Sequence, residues 1–588
     1  MRGILLKFFL LFNFLFCSVV RADIALQAHI QGITDKPALT NTQARLQQGI
    51  DNLSKPLTAT QVENFYLYND DDVKAGVAPF AYFTPEVTKQ LRQQTQTKWQ
   101  IDYQVKLQAP THIIAVDLGV DGEGAKDAHI EKVLADVPFK AGQLFISSIY
   151  DDYKDKLLTT AQESGYLQAR FTRHEVWVDR SKNQAIIYLH LSTGPRYYFG
   201  SVHFGKNPLS DDFLSRFVLF KPGQPFSSEA AHQLQTDLKN ASYFSSVEVT
   251  PELNDVNTQH TVPIDVHLKP VPRQQYIFGL GYGTDTGPRA TLGSDWHYLN
   301  AYGHRLNALL RLSQVQSTAS VKYIIPGAHP LTDEYNINAS VQNNNISQGN
   351  SMLAQVGAGY TYSRNRWQYN FSLSAQRERY NFFNNPYQTS HLLLPAINIQ
   401  NVVRNDPLFP TEGHRFNVKL IAAKQGVASD TNLIQATISE KWLHAFNENN
   451  MIVLRGNVGL TSIHDISLLP LSLNFFAGGA QSVRGYGYNN LGPGRYLVVG
   501  SAEYRYRVHD KWYAATFFDV GNAFNNWPTA PHPGLRSNIG AVYHLLNQGA
   551  GVGVVWNSPV GAMELSYAQA VNLAGRPSRI QFNLGTDL

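Results

Sequence analysis

The 588 residues carry 16% charged and 12% aromatic side chains, with 30 Tyr and 31 Phe, a balance poor in charge beside the roughly 25% of ordinary soluble domains. Lys and Arg number 49 against 45 Asp and Glu, leaving a formal charge of +4, too slight and too dispersed for a nucleic-acid footprint. The length calls for several domains, and the one cysteine, Cys17, lies in a segment expected to be removed, which excludes disulfide and thiolate chemistry from the remainder.

Arg2 and Lys7 precede an apolar run over 8–20, and Val20-Arg21-Ala22 puts small side chains at the −3 and −1 positions of a cut after Ala22. This is the pattern of a secretory signal over 1–22, with the mature chain starting at Asp23. Acylation of Cys17 would require a small residue before it, and Phe16 stands there. No later stretch approaches the ~20 apolar residues of a spanning helix. A membrane-crossing form of this chain must therefore be a closed barrel, in which every backbone group is satisfied.

Three segments then share one pattern, expected over 23–110, 111–195 and 196–272. Each has a helical run ending in a small residue and an aromatic pair or near-pair (Ala81-Tyr82-Phe83, Gly165-Tyr166-Leu167, Ser242-Tyr243-Phe244), then a strand, a polar turn and an alternating strand ending at Pro110, Pro195 or Pro272. Opening strands are expected at 26–30, 112–120 and 197–204, and helices at stretches such as 211–218 and 228–240, so the unit is β-α-α-β-β. In the last strand of the first unit, Trp99, Ile101, Tyr103, Val105 and Leu107 alternate with polar residues, the period of a sheet with one face packed on helices. The acidic run Asn69-Asp70-Asp71-Asp72 stands out as an insert in the first unit.

Over 273–588 the helical pattern fades into short alternating segments separated by Asn, Asp, Gly and Pro. Trp367, Tyr369, Phe371, Leu373 and Ala375 alternate with Gln368, Asn370, Ser372 and Ser374; Met563, Leu565 and Tyr567 alternate with Glu564 and Ser566. One greasy phase and one wet phase predict a lipid-facing antiparallel barrel with a polar lumen, since soluble sandwiches rarely continue so long without helices. A strand takes about 9–11 residues plus its connection, so roughly sixteen strands fit the segment, and about fourteen or eighteen fit the count as well.

Within it, 474–493 is glycine-rich and holds Arg484 as its one charged residue before Gly485 and Tyr486. In Ser501-Ala-Glu-Tyr-Arg-Tyr-Arg507 the wet phase contains Glu503, and in Phe517-Phe-Asp-Val-Gly521 it contains Asp519. A loop folded into the lumen would bring Arg484 to both acids, whose carboxylates suit the fork of guanidinium donors.

The Ser-Val-Arg-Gly-Tyr motif, Glu503 and the Phe-x-Asp-x-Gly strand resemble the signature of the outer-membrane assembly and secretion superfamily, whose members carry POTRA domains before a 16-stranded transmembrane β-barrel. With three repeat units and Phe475-Phe-Ala-Gly-Gly-x-x-Ser-Val-Arg-Gly-Tyr-x-Tyr, the chain resembles the TamA branch, the outer-membrane subunits of translocation and assembly modules. The resemblance departs at the end of the chain, where Leu588 replaces the terminal aromatic common in such barrels. It implies an outer-membrane location with POTRA domains in the periplasm, a loop held in the barrel by Arg484, Gly485, Tyr486, Glu503 and Asp519, and no cofactor. It also implies insertion or secretion of outer-membrane proteins such as autotransporters through a weak seam between strands near 276–283 and 579–588. Gly279, Gly281, Gly283 and Gly585 would loosen the packing of that seam. The implied partners are an inner-membrane-anchored, TamB-like protein and unfolded outer-membrane protein clients.

A two-partner-type secretion pore and a passive diffusion channel with periplasmic adaptor domains stand as alternatives. An enzyme does not: His-Glu-x-x-His, Gly-x-Ser-x-Gly and Walker patterns are missing from the sequence. Gly279-x-Gly281-x-Gly283 opens an expected strand rather than the helix of a dinucleotide site.

Overall fold

The computed structural model describes residues 24–253, 259–383, 385–527, 542–559 and 561–585. The expected signal at 1–22 and the terminal Leu588 lie outside the described residues.

The first repeat consists of strand Ala25–Gln31, helices Lys36–Asp51, Ala59–Tyr68 and Asp70–Val77, and strands Glu86–Thr95 and Lys98–Lys106. Its last strand lies in the middle of the sheet, parallel to the first and antiparallel to the second. A parallel pair requires a long crossover and an antiparallel pair only a hairpin, which is why the helices fall between the first and second strands. The second repeat has the same arrangement in His112–Asp121, Arg170–Asp179 and Gln184–Ser192, and the third sheet, of Tyr198–Phe204, Phe244–Pro251 and Thr261–Pro270, has the same order. Alternation decides the cores: Ile101, Tyr103 and Val105 are buried with Leu46 and Val73, and Ile187 and Leu189 with Ile130 and Leu157.

Two local expectations are corrected. The acidic run at 69–72 is the start of an additional helix, Asp70–Val77, with three aspartates in its first turn, where carboxylates face the positive end of the helix dipole. The helix expected over 211–218 is a single turn, Asp211–Leu214, followed by a 3₁₀ turn, Ser215–Phe217.

By contacts the described chain divides into two compact units. One holds the residues up to Val202 with those of Phe220–His232 and Pro251–Ile264; the other holds His203–Leu219, Gln233–Thr250 and the residues from Asp265 onward. Within the second unit the Tyr243 hydroxyl donates to the Gly303 carbonyl at 2.7 Å. Gly303 adopts φ +72°, and a Cβ there would meet the Phe213 ring at 2.5 Å, so only glycine permits this close approach.

The same unit contains sixteen strands: β1 Gln274–Gly283, β2 Gly287–Trp296, β3 Arg305–Ser313, β4 Gln316–Pro326, β5 Asp333–Ile346, β6 Gly349–Arg364, β7 Trp367–Phe382 and β8 Gln388–Arg404, then β9 Gly413–Ala423, β10 Leu433–Asn447, β11 Asn450–Ile463, β12 Tyr496–His509, β13 Trp512–Phe524, β14 Asn547–Ser558, β15 Gly561–Ala570 and β16 Ser578–Gly585. They pair in chain order, which selects sixteen from the counts that length alone permits. Phe278 is 77% and Leu280 90% exposed; a face this apolar and this open belongs against hydrocarbon. The sheet is a nearly closed barrel. β1 and β16 stand at its two ends, and no ladder joins them among the described residues. The Phe582 amide does donate to the Thr284 hydroxyl at 3.2 Å, at the end of the seam farthest from the point where β1 begins.

Candidate functional site

Residues 464–495 connect β11 to β12 and fold back into the lumen. The segment is held as a hairpin by short paired strands, Phe475–Ala477 and Leu491–Gly494. Val483, Tyr486, Phe475 and Ala477 form its buried core with Leu497 and Ala523 of the wall.

Arg484, at the tip, has a fully buried side chain. Its Nε donates to Asp519 Oδ2 at 2.7 Å and its Nη2 to Asp519 Oδ1 at 2.9 Å, the two-pronged arrangement that suits a carboxylate. Its backbone amide donates to the same Oδ2 at 3.0 Å. Nη1 reaches Glu503 Oε2 at 2.5 Å and Glu564 Oε1 at 2.9 Å, and Nη2 reaches Ser501 Oγ at 3.3 Å. The guanidinium lies 3.3 Å from the centre of the Phe517 ring, a cation–π contact strengthened by the burial of the Arg484 side chain. Arg505 Nε in turn donates to Glu503 Oε1 at 2.6 Å.

Arg484, Glu503 and Asp519 thus meet, three residues that sequence reasoning had placed together. Gly485 sits beside them with φ +94°, and a Cβ there would fall 2.7 Å from the Ala570 amide. The Tyr486 hydroxyl donates to Asn572 Oδ1 at 2.8 Å. Sequence reasoning missed Glu564 as the third carboxylate, although its place in the wet phase of β15 was available as a signal. It also missed Gly549 on β14, where a Cβ would lie 2.0 Å from the Arg484 carbonyl. Gly549→Val should therefore push the loop off the wall; we expect trypsin to cut after Arg484 in the folded variant, whereas wild type, with this residue buried, resists.

The loop is also tied elsewhere. Glu378 on β7 is fully buried and accepts from the Ser472 amide at 3.0 Å and from its hydroxyl. Gln435 donates to the Leu473 carbonyl at 2.8 Å, Ser347 to Asn490 at 2.6 Å, and the Ala480 amide to Asp285, in the β1–β2 turn, at 2.6 Å. The proposed seam glycines lie where expected along the chain: Gly279, Gly281 and Gly283 on β1, and Gly585 opposite Ala562 on β15. Of these, Gly283 comes near β16, a Cβ there falling 3.8 Å from the Phe582 carbonyl.

Residues 299–588 match the model of the Omp85 superfamily domain. The barrel belongs to the Omp85 superfamily. Residues 197–270 match the POTRA family, surface antigen variable number repeat. The Omp85 barrel lies in the outer membrane with its POTRA domains in the periplasm. Outer membrane protein assembly factor BamA of Neisseria meningitidis serogroup B is 23% identical over 462 residues, which span 68% of this chain and 57% of the relative. Outer envelope protein 80, chloroplastic, of Arabidopsis thaliana is 38% identical over 104 residues, 17% of this chain and 14% of the relative. The chain thus spans little more than half the length of the one and a small part of the other. The crystal structure of BamA from Haemophilus ducreyi lacking POTRA domains 1-3 superposes with a TM-score of 0.67 at 18% identity, covering 80% of this chain and 99% of that one. It shares the fold.

Proposed function

We propose that this Omp85 protein assembles other outer-membrane proteins, taking unfolded clients from the periplasm and passing them to the bilayer at the seam between β1 and β16. The observation that carries the reading is the seam itself: two strands face each other without a ladder among the described residues, and one of them has glycine at 279, 281 and 283. Strand edges with free amide and carbonyl groups accept an added strand through main-chain hydrogen bonds, with little dependence on client sequence. The edge strands of the repeat sheets, Glu86–Thr95 and Arg170–Asp179, offer the same chemistry on the periplasmic side. In this reading the Arg484 cluster is a lock that fixes the inward loop, and the chain does no covalent chemistry.

The finer assignment is to the TamA branch, with an inner-membrane-anchored, TamB-like partner and autotransporters among the clients. Three repeats with one strand order support it, since three such units are part of the resemblance to that branch. Depletion of the protein in its native cell, followed by profiling of the outer-membrane proteome, tests both levels. Loss of a subset that includes autotransporters is the expected result; loss of all barrel proteins would move the assignment to the central assembly factor, and loss of one dedicated exoprotein to a two-partner pore.

A further inference from the structure

The lipid-facing side of β1 to β8 carries an apolar trough of ≈ 930 Å³. One of its rows follows the strand register without a break: Phe278 opposite Leu292, Leu292 opposite Leu310, Leu310 opposite Ala319, Ala319 opposite Val341, Val341 opposite Ala354. The next two members are not apolar. Ala354 stands opposite Arg377, and Arg377 opposite His391. Arg379, two residues on and in the same outward phase, stands opposite Met352. Ala319 and Ala354 keep the floor low, while Phe278 and Leu292 raise the wall nearest the seam.

The cations sit at a definite height. β1 starts at the periplasmic end, where the third repeat ends, so by alternation β7 runs from the periplasmic side at Trp367 outward to Phe382. Arg377 and Arg379 are therefore in its outer third, above Phe371 and Leu373, at the level where lipid headgroups begin. Both are exposed, and among the described residues neither has a carboxylate within ion-pair distance. Arg379 rests on the Tyr387 ring at 4.3 Å. The nearby acid, Asp430, is engaged by His391, accepting from its backbone amide at 2.6 Å. Two arginines without counter-ions at the head of an acyl-sized groove are charge-complementary to a phosphate carrying hydrocarbon tails.

We propose that this trough is a binding site for a phosphorylated, multiply acylated lipid of the outer leaflet, its phosphate on Arg377 and Arg379 and an acyl chain along the row toward Phe278 on the seam strand. The site reaches from the headgroup level to the strand that must part from β16, so an occupied trough would set the lipid packing next to the seam.

The test uses the full chain in detergent micelles, diphosphoryl lipid A as probe, and native mass spectrometry to count retained lipid. Wild type should retain the probe. Arg377→Gln with Arg379→Gln should weaken retention about a hundredfold, the order of two lost charge-assisted contacts, and separately Ala354→Trp, which fills the trough and leaves both cations in place, should weaken it about tenfold, the order of roughly two acyl methylenes kept from burial. Dephosphorylated lipid A should bind as poorly as the probe does to the arginine variant, and inorganic phosphate should fail to displace the probe. Undiminished retention in either variant overturns the proposal, as does displacement by phosphate alone, which would mark a headgroup-only anion site. Both variants change side chains that face lipid, and the heat-modifiable barrel band on an unboiled gel verifies that each has folded.

Discussion

Arg484→Glu should be the most damaging single substitution in this protein. It replaces a cation bound to Asp519, Glu503 and Glu564 with a fourth carboxylate, in a site where Asp519 and Glu503 are buried. Breaking a buried ion pair from one side costs about 3–5 kcal/mol, because the remaining charges are left uncompensated. The measurable result is loss of the heat-modifiable barrel, or a lowered urea midpoint with chymotrypsin access to the loop at Phe476, Tyr486 and Tyr488. Adding Asp519→Arg should restore part of the loss, since the new guanidinium stands where the bidentate carboxylate was. The rescue stays incomplete because Glu503 and Glu564 still face Glu at 484. A coupling energy near zero in this double-mutant cycle would show that the two side chains do not act as a pair. A folded, protease-resistant Arg484→Glu variant would show that the loop is held by its other ties, to Glu378, Gln435 and Asp285.

Locking the seam should abolish client assembly while leaving the protein itself intact. Gly283→Cys and Asn583→Cys place thiols on β1 and β16 near the point where a Cβ on residue 283 comes 3.8 Å from the Phe582 carbonyl. The one native cysteine, Cys17, lies in the expected signal, so the pair would be joined selectively by a short bis-maleimide. The cross-linked protein is expected to lose reconstituted insertion of a barrel client almost entirely, whereas each single-cysteine variant treated in the same way should work normally. Full insertion by the cross-linked form would exclude passage through this seam. The Arg484 and seam experiments separate two roles, because the first removes the guanidinium bound to Asp519, Glu503 and Glu564 and the second joins β1 to β16 without changing any of those four side chains.

Much of the architecture was legible because the relevant signals are local. Period-two alternation places Glu503 and Asp519 in the wet phase whatever else the chain does, and an arginine alone in a glycine-rich loop narrows the choice of partner. The repeat pattern is local too: the aromatic pair, the polar turn and the closing proline recur at near-constant spacing, and the element order β-α-α-β-β follows from them, whereas the central place of the last strand in each sheet came from the structure. The misreading at 69–72 has a local cause as well. Three aspartates look like a solvated insert until the helix that follows them is recognised, and then they are first-turn residues.

Sequence alone therefore determined the class of fold, the wet phase of the strands that hold Glu503 and Asp519, and the need of the loop's single cation for an acidic partner, because each follows from side-chain period and charge within a few residues. Tertiary structure decided what depends on curvature and closure: the count of sixteen strands, the arrival of Glu564 from 80 positions away, the need for Gly549 under the Arg484 carbonyl, and the tie between Asp285 and a loop 195 residues later. Bending a sheet nearly shut brings distant strands to one point, and no local pattern encodes which residues will share it.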